Sequence, residues 1–374
     1  MKILVGADFV PTRSNSDLFS ISNTDSLFGK ELTDILTAAD YKIFNLEVPL
    51  VNGESAIEKV GPSLIAPTET VAAYRSIGVN ALALANNHIL DQGTRGLEFT
   101  MKTLAENQIS FFGAGKTPQD AAAPLIFEVD GKKIGVYACV EHEFSVVSEA
   151  TSGANPFDPM DSPDHIFELK KQCDYVIALY HGGKEHYRYP SPQLQKVCRK
   201  LVDKGANLVV CQHSHCVGCE EKYNDSTIVY GQGNFLFDML DNEYWNSSVL
   251  IQIEDDFSIS YIPIIKCGNG VRLAQGEVAG DILAGFNKRS EEILDVEFLN
   301  ENYGKFAENY RSHYISIVNG RRSFLFRALN KLTKGKYSSW YFGKKYTRQH
   351  LLAIKNVVEC EAHRELFLRT IDDK

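Results

Sequence analysis

The sequence predicts a mixed α/β protein of the α+β variety with a helical C-terminal extension. Short apolar runs alternate with amphipathic helical spacing from the first residues, and after Gly233 the pattern changes to paired antiparallel strands. Beyond about Ser290 no alternating strand signal remains. With 374 residues, 44% hydrophobic and 23% charged, the composition is that of a globular chain able to bury a substantial core.

In order, KILVGADF reads as a strand, the spacing over residues 27–36 as a helix, and YKIFNLE as a second strand. Residues 79–85 read as a buried strand, residues 94–106 as a helix and ISFFGAG as a further extended segment. PLIFEVDGKKIGVYACV places two apolar runs about an Asp130-Gly131 turn signal, which predicts a hairpin. DYVIALYH and ANLVVCQH are buried strands separated by a helix over residues 192–204, and both end in a histidine. SSVLIQIED and FSISYIPII read as an antiparallel pair. The expected division is a core of residues 1–285 and a basic helical extension of residues 286–374.

The net charge of −9 conceals an asymmetry, because residues 309–358 contain eleven Lys or Arg and no Asp or Glu. Arg321, Arg322, Arg327, Lys331, Lys334, Lys336, Lys344 and Lys345 are interleaved there with Phe324, Phe326, Tyr337, Trp340, Tyr341 and Phe342. This mixture suits an anionic membrane surface or an acidic polymer, while the opposing reading is a solvated helical face whose aromatics pack on the core. No nucleic-acid motif accompanies the charge, so no nucleic acid is expected. The opening MKILVGADFV lacks the apolar core and cleavage site of a secretory signal, and no run approaches the roughly 18 apolar residues of a membrane span. Eight cysteines are too dilute for a disulfide scaffold. The expectation is a reduced, cytoplasmic protein, peripheral to a membrane if the basic segment docks there.

Polar residues collect where strands end: Asp8, Asn45 with Glu47, Asn86 with Asn87 and His88, His181, and His213 with His215. Ligands of open α/β sheets bind at such ends. A lone Asp, Asn or His there is ordinarily a cap or turn residue, but five coinciding ends have the composition of a metal site. The stretch CQHSHCVGC adds three cysteines to the two histidines. A zinc ribbon would need a second C-x-x-C pair, which the sequence lacks, and a zinc knuckle is the weaker reading because Cys211 lies within the strand and Cys216 and Cys219 follow a turning chain. If the strand alternation continues, His213 and His215 face the same side, and these imidazoles are the stronger signal.

NLEVPL, ANNHILDQGTRGLEFTMKTL, HGGKEHYRYPSPQLQ and GANLVVCQHSHCVGCEEKYNDSTIVYGQGNFLFD, with the opening GADF, together resemble the CapA family of capsule or poly-γ-glutamate synthesis proteins. That family is itself similar to the calcineurin-like metallophosphoesterases. The resemblance covers about residues 1–265. It implies a two-layer β-sheet core flanked by helices, with two divalent ions (Mn, Fe or Zn) at the strand ends. Asp8, Glu47, Asn87, His181, His213 and His215 resemble the metal ligands, and His88 resembles the histidine that faces substrate as a proton donor. Asn45, Glu185 and Asn234 lie in the same motifs and are candidates for substrate contact. Three positions depart from the calcineurin-like pattern: Val10 stands where a histidine is usual, Gly182 where a tryptophan is, and Gln212 where a glycine is. The implied function is metal-dependent hydrolysis of a phosphoester or polymer bond in capsule formation. The alternative is a non-catalytic accessory protein that binds an acidic polymer or lipid-linked intermediate in the same pocket.

Overall fold

Alternation along the strands decides the layering of the molecule, of which the computed structural model describes residues 1–318 and 324–372. One sheet runs, in spatial order, Gly270–Leu273, Ile259–Cys267, Ser247–Ile253, Ile3–Val10, Tyr41–Asn45, Ala81–Ala83 and Ser110–Phe112, with the short strand Leu236–Phe237 also paired to Ile3–Val10. The other runs Glu220–Tyr223, Ser226–Tyr230, Leu208–Gln212, Tyr175–His181, Lys132–Val140 and Leu125–Val129. Ile3, Val5 and Ile43 from the first sheet pack with Val136, Ile177 and Val210 from the second. The alternate residues Leu4, Phe44 and Leu82 face outward onto Leu32, Leu36, Leu97 and Leu104 of the helices Gly29–Ala38 and Gly93–Glu106. On the opposite flank Val176, Ala178 and Val209 meet Ile166, Leu169 and Leu201 of the helices Ser162–Lys170 and Pro192–Asp203. Period-two alternation with apolar residues on both faces therefore produces helix, sheet, sheet and helix layers, as expected.

Topology then brings the polar residues to one edge. Ile3–Val10, Tyr41–Asn45 and Ala81–Ala83 are parallel neighbours, with Asp8 opposite Asn45 and Asn45 opposite Ala83. Lys132–Val140, Tyr175–His181 and Leu208–Gln212 are likewise parallel, with His181 between Val140 and Gln212. The register between Ile3–Val10 and Tyr41–Asn45 shifts between Val5 and Asp8. Gly6 lies in that irregularity, where an added Cβ would stand 2.2 Å from the Phe44 ring.

The hairpin turn falls on Asp130 and Gly131, whose φ angles of 52° and 74° suit the tight turn between Val129 and Lys132. The strand expected over residues 79–85 is shorter, Ala81–Ala83, because the chain leaves the ladder to form the turn holding Asn86, Asn87 and His88. Two compact units are present, Met1–Leu299 and Asn300–Lys374. Sequence reading places the division near residue 285, but that position falls inside the helix Gly276–Glu292. Phe286, Ile293 and Leu299 are all buried in the first unit's cores. Arg321 and Arg322 lie outside the described residues.

Candidate metal centre

The first sheet supplies oxygen donors. Asp8, near the end of Ile3–Val10, is 1% exposed, and Glu47, two residues past the end of Tyr41–Asn45, is fully buried. Asn45 Nδ2 donates to Asp8 Oδ1 at 2.7 Å, while Asn86 Nδ2 donates to Asn45 Oδ1 at 3.1 Å and to the Leu46 carbonyl at 2.9 Å. These bonds fix the carboxylate and tie the three strand ends together. Asn87 Nδ2 donates to Glu143 Oε2 at 3.3 Å, which turns its Oδ1 toward His181.

The second sheet supplies imidazoles. His181 Nε2 lies 3.0 Å from Asn87 Oδ1 and 3.3 Å from Glu47 Oε1. His215 Nδ1 lies 2.7 Å from Asn234 Oδ1 and 3.3 Å from Asp8 Oδ2. The His213 ring stands 5.0 Å from His181 and 6.0 Å from His215 between centroids. Convergence of the last two does not come from an extended chain, which corrects the alternation expected from sequence. The strand ends at Gln212, and His213 and His215 both adopt left-handed backbone, with φ of 75° and 52°. Such angles cost a non-glycine residue about 1–3 kcal/mol of strain, and they concentrate at functional sites.

Burial and mutual charge shape the electrostatics. Burial raises the Asp8 carboxyl above its ordinary range, and the nearby Glu47 charge adds to this against the pull of His215. Burial also pushes Glu47 upward, but His181 and His215 outweigh it and hold that carboxyl below its ordinary range. Burial, reinforced by His181 and His215, drives His213 well below the ordinary imidazole range. For His215 burial acts downward, but the Asp8 contact and the Glu47 charge win and push it up to about 9. Asp8 Oδ2, both Glu47 oxygens and His213 Nδ1 are buried without a directed hydrogen bond, since the neighbouring imidazoles reach the carboxylates only at ion-pair distance. Native proteins leave few buried polar atoms in this condition. Ligand atoms of Glu47, His213 and His215 lie within 4.8 Å of one another, so the donor set fits a divalent cation.

Several groups around the centre escape sequence reading. His88 Nδ1 lies 2.6 Å from Asp91 Oδ2, and the other Asp91 oxygen is paired with Lys59. The Leu64 backbone N–H also donates to Asp91 Oδ2, at 2.6 Å. The H-x-x-D spacing of His88 and Asp91 is the one signal that could have found this pair. Trp245 packs 4.6 Å from the His215 ring and donates from Nε1 to His186 Nε2 at 2.9 Å, while His186 stacks on Tyr244 at 5.0 Å. Of the expected substrate contacts, Asn45 is fully buried and commits its amide to Asp8 and Asn86, while Asn234 holds His215 through Oδ1 and leaves Nδ2 without a partner. Glu185 is half-buried on the loop after His181 and shares no hydrogen bond with the centre among the described residues.

The cysteines stand apart. Cys216 and Cys219 are fully buried, and burial pushes the Cys216 thiol up to about 11 and Cys219 well above its ordinary value, whereas metals take the thiolate. Cys211 faces Cys198, with sulfurs 3.4 Å apart. Val10 is buried in the apolar cluster beside Phe237, so no ligand enters from that position. At Gly182 a Cβ would stand 2.5 Å from the Tyr180 ring and 2.6 Å from Glu141, leaving no space for a larger side chain.

Part of this sequence is similar to curated proteins. The PGA biosynthesis protein CapA of Bacillus subtilis (strain 168) is 30% identical over 220 residues, 57% of this chain and 57% of its own. The capsule biosynthesis protein CapA of Bacillus anthracis is 27% identical over 242 residues, 62% of this chain and 58% of its own. The chain thus spans a little over half the length of these curated relatives. Among solved structures, a 5'-nucleotidase precursor from Thermus thermophilus superposes with a TM-score of 0.43 at 13% identity, over 76% of this chain and 58% of that one. The family model described as bacterial capsule synthesis protein PGA_cap matches residues 2–239, which contain every residue of the centre, and the chain belongs to that family.

Proposed function

We propose that the chain is a metal-dependent hydrolase that cleaves a phosphoester or polymer bond during capsule or poly-γ-glutamate formation. The observation that carries this reading is the meeting of Glu47 Oε1 and Asn87 Oδ1 on His181 Nε2, at 3.3 and 3.0 Å, beside buried carboxylate oxygens that lack hydrogen bonds. Glu47 lies close to both donor groups, His181 with Asn87 and His213 with His215, so these residues would hold divalent metal together with it. Oxygen and imidazole donors without thiolate favour Mn, Fe or Zn. Divalent ions held there would acidify a water and brace phosphoryl oxygens.

The chain's own residues supply the rest. Asp91, anchored by Lys59 and the Leu64 N–H, accepts from His88 Nδ1–H and so fixes the ring and its tautomer. Once Nε2 is also protonated, the ring can deliver that proton to the leaving oxygen, general acid catalysis worth about 10² to 10⁴ in rate. Asn45 and Asn86 keep Asp8 in place, and Trp245 and His186 form a wall beside His215.

The second reading, an accessory protein that binds an acidic polymer without cleaving it, is favoured by the buried Val10 at the position of a usual ligand. Metal analysis of the purified chain followed by a panel of phosphomonoesters, phosphodiesters and γ-glutamyl polymers separates the two. Bound transition metal with chelator-sensitive turnover supports the hydrolase. Absence of bound metal overturns the hydrolase, and polymer bound without turnover supports the accessory protein.

A further inference from the structure

The helices Phe324–Leu332 and Lys336–Lys345 pack on each other through an aromatic cluster, in which the Phe326 ring lies 5.4 Å from Tyr337, 5.8 Å from Tyr341 and 5.6 Å from Phe342. Phe326 and Phe342 are buried, so the pair has its own small core. Large apolar side chains are left outside beside the charged ones: Phe324 and Leu332 are 80% exposed, Leu325 70% and Trp340 56%. At about 100° per residue, Phe324, Ala328, Leu332 and Leu325 share one side of the first helix, bordered by Arg327 and Lys331, with Phe326 turned away. On the second helix Lys336, Trp340 and Lys344 recur every four residues, and the Lys344 ammonium lies 5.0 Å from the indole centroid. An indole between two lysines is amphipathic in the way that bilayer interfaces favour.

We propose that this helix pair docks on an anionic lipid surface, with Phe324, Leu325, Leu332 and Trp340 entering the headgroup region and the flanking Lys and Arg meeting lipid phosphates. Charge complementarity comes from residues 309–358, which hold eleven basic residues and no acid. An acidic polymer would satisfy the charges but has no use for bare leucine and phenylalanine side chains, whereas a membrane uses both. No helix among the described residues is long and apolar enough to cross a bilayer, so the contact lies in the interface plane.

The test uses the full chain with vesicles of phosphatidylcholine alone and of phosphatidylcholine with phosphatidylglycerol. Sedimentation should show salt-sensitive binding to the anionic vesicles only. Of the two tryptophans Trp245 is buried, so a blue shift of the emission on binding reports Trp340. Replacing both leucines, Leu325→Ser with Leu332→Ser, should lower vesicle affinity at least about tenfold while metal content stays unchanged. Lys336→Glu with Lys344→Glu should lower it by about tenfold or more. Equal binding to neutral vesicles, no blue shift, or unchanged affinity in the leucine variant overturns the proposal. Binding of poly-γ-glutamate in place of vesicles, insensitive to the leucines, makes an acidic polymer the ligand. Self-association lost in the leucine variant, without vesicle binding, makes the face a contact between two copies.

Discussion

The sheet built on Ile3–Val10 sends oxygen donors to the centre, Asp8, Glu47 and Asn87, whereas the sheet built on Tyr175–His181 sends the imidazoles of His181, His213 and His215. The two halves are held differently. Asp8 is locked by a hydrogen bond from the Asn45 amide, itself held by Asn86, at the ends of parallel strands. His213 and His215 sit past the end of their strand on left-handed backbone, and His213 Nδ1 has no hydrogen-bond partner. Asp8 is preorganised through the hydrogen bond to its Oδ1, whereas Glu47 and His213 keep side-chain atoms without hydrogen bonds and depend on what they bind.

The largest effects should come from breaking either half. Glu47→Gln removes the charge close to both donor groups, and His213→Ala with His215→Ala removes two imidazoles; each should abolish most metal binding, read as metal per chain by elemental analysis. Metal retained in the histidine variant but lost when Cys216 and Cys219 are replaced would reverse the assignment. His88→Ala should keep metal and lose about 10²- to 10⁴-fold in turnover on an active substrate. Loss of metal in that variant would make His88 a ligand. Asp91→Asn tests the positioning of His88 and should lower turnover about tenfold, a change of about 1.4 kcal/mol, with an altered pH profile and unchanged metal content. Chelation should lower the melting temperature, because ligand present at a hundred times its dissociation constant adds about 2.7 kcal/mol of stability. A metal-free chain that melts at the same temperature would mean the orphaned carboxylates are satisfied in another way. The smallest effect belongs to Cys216→Ala with Cys219→Ala, which should leave metal content unchanged.

The oxygen half was legible in the sequence because it follows a simple rule: apolar runs end, and the next polar residue faces the crevice. Asp8 obeys it, and Glu47 and Asn87 follow within two residues of Asn45 and Asn86, which do. His213 and His215 were identified for a wrong geometric reason, since local alternation gives no indication that a chain will turn left-handed just past Gln212. Lys59 and Asp91, or His186 and Trp245, meet across gaps of 32 and 59 residues, and partners so distant become visible only once the loops are folded. The helix pair Phe324–Leu332 and Lys336–Lys345 was legible as composition, basic and aromatic, but not as a surface, because which aromatics turn inward depends on how the two helices meet.

The left-handed backbone at His213 and His215 has a consequence for how this site would be lost. Glycine occupies those angles without strain, whereas an L side chain there costs about 1–2 kcal/mol. His213→Gly should therefore relieve strain in the metal-free chain while removing a ligand, whereas His215→Gly would also strip Asp8 of its ion pair. Folding alone gives no reason for an imidazole at position 213, so that side chain is accounted for by what it binds.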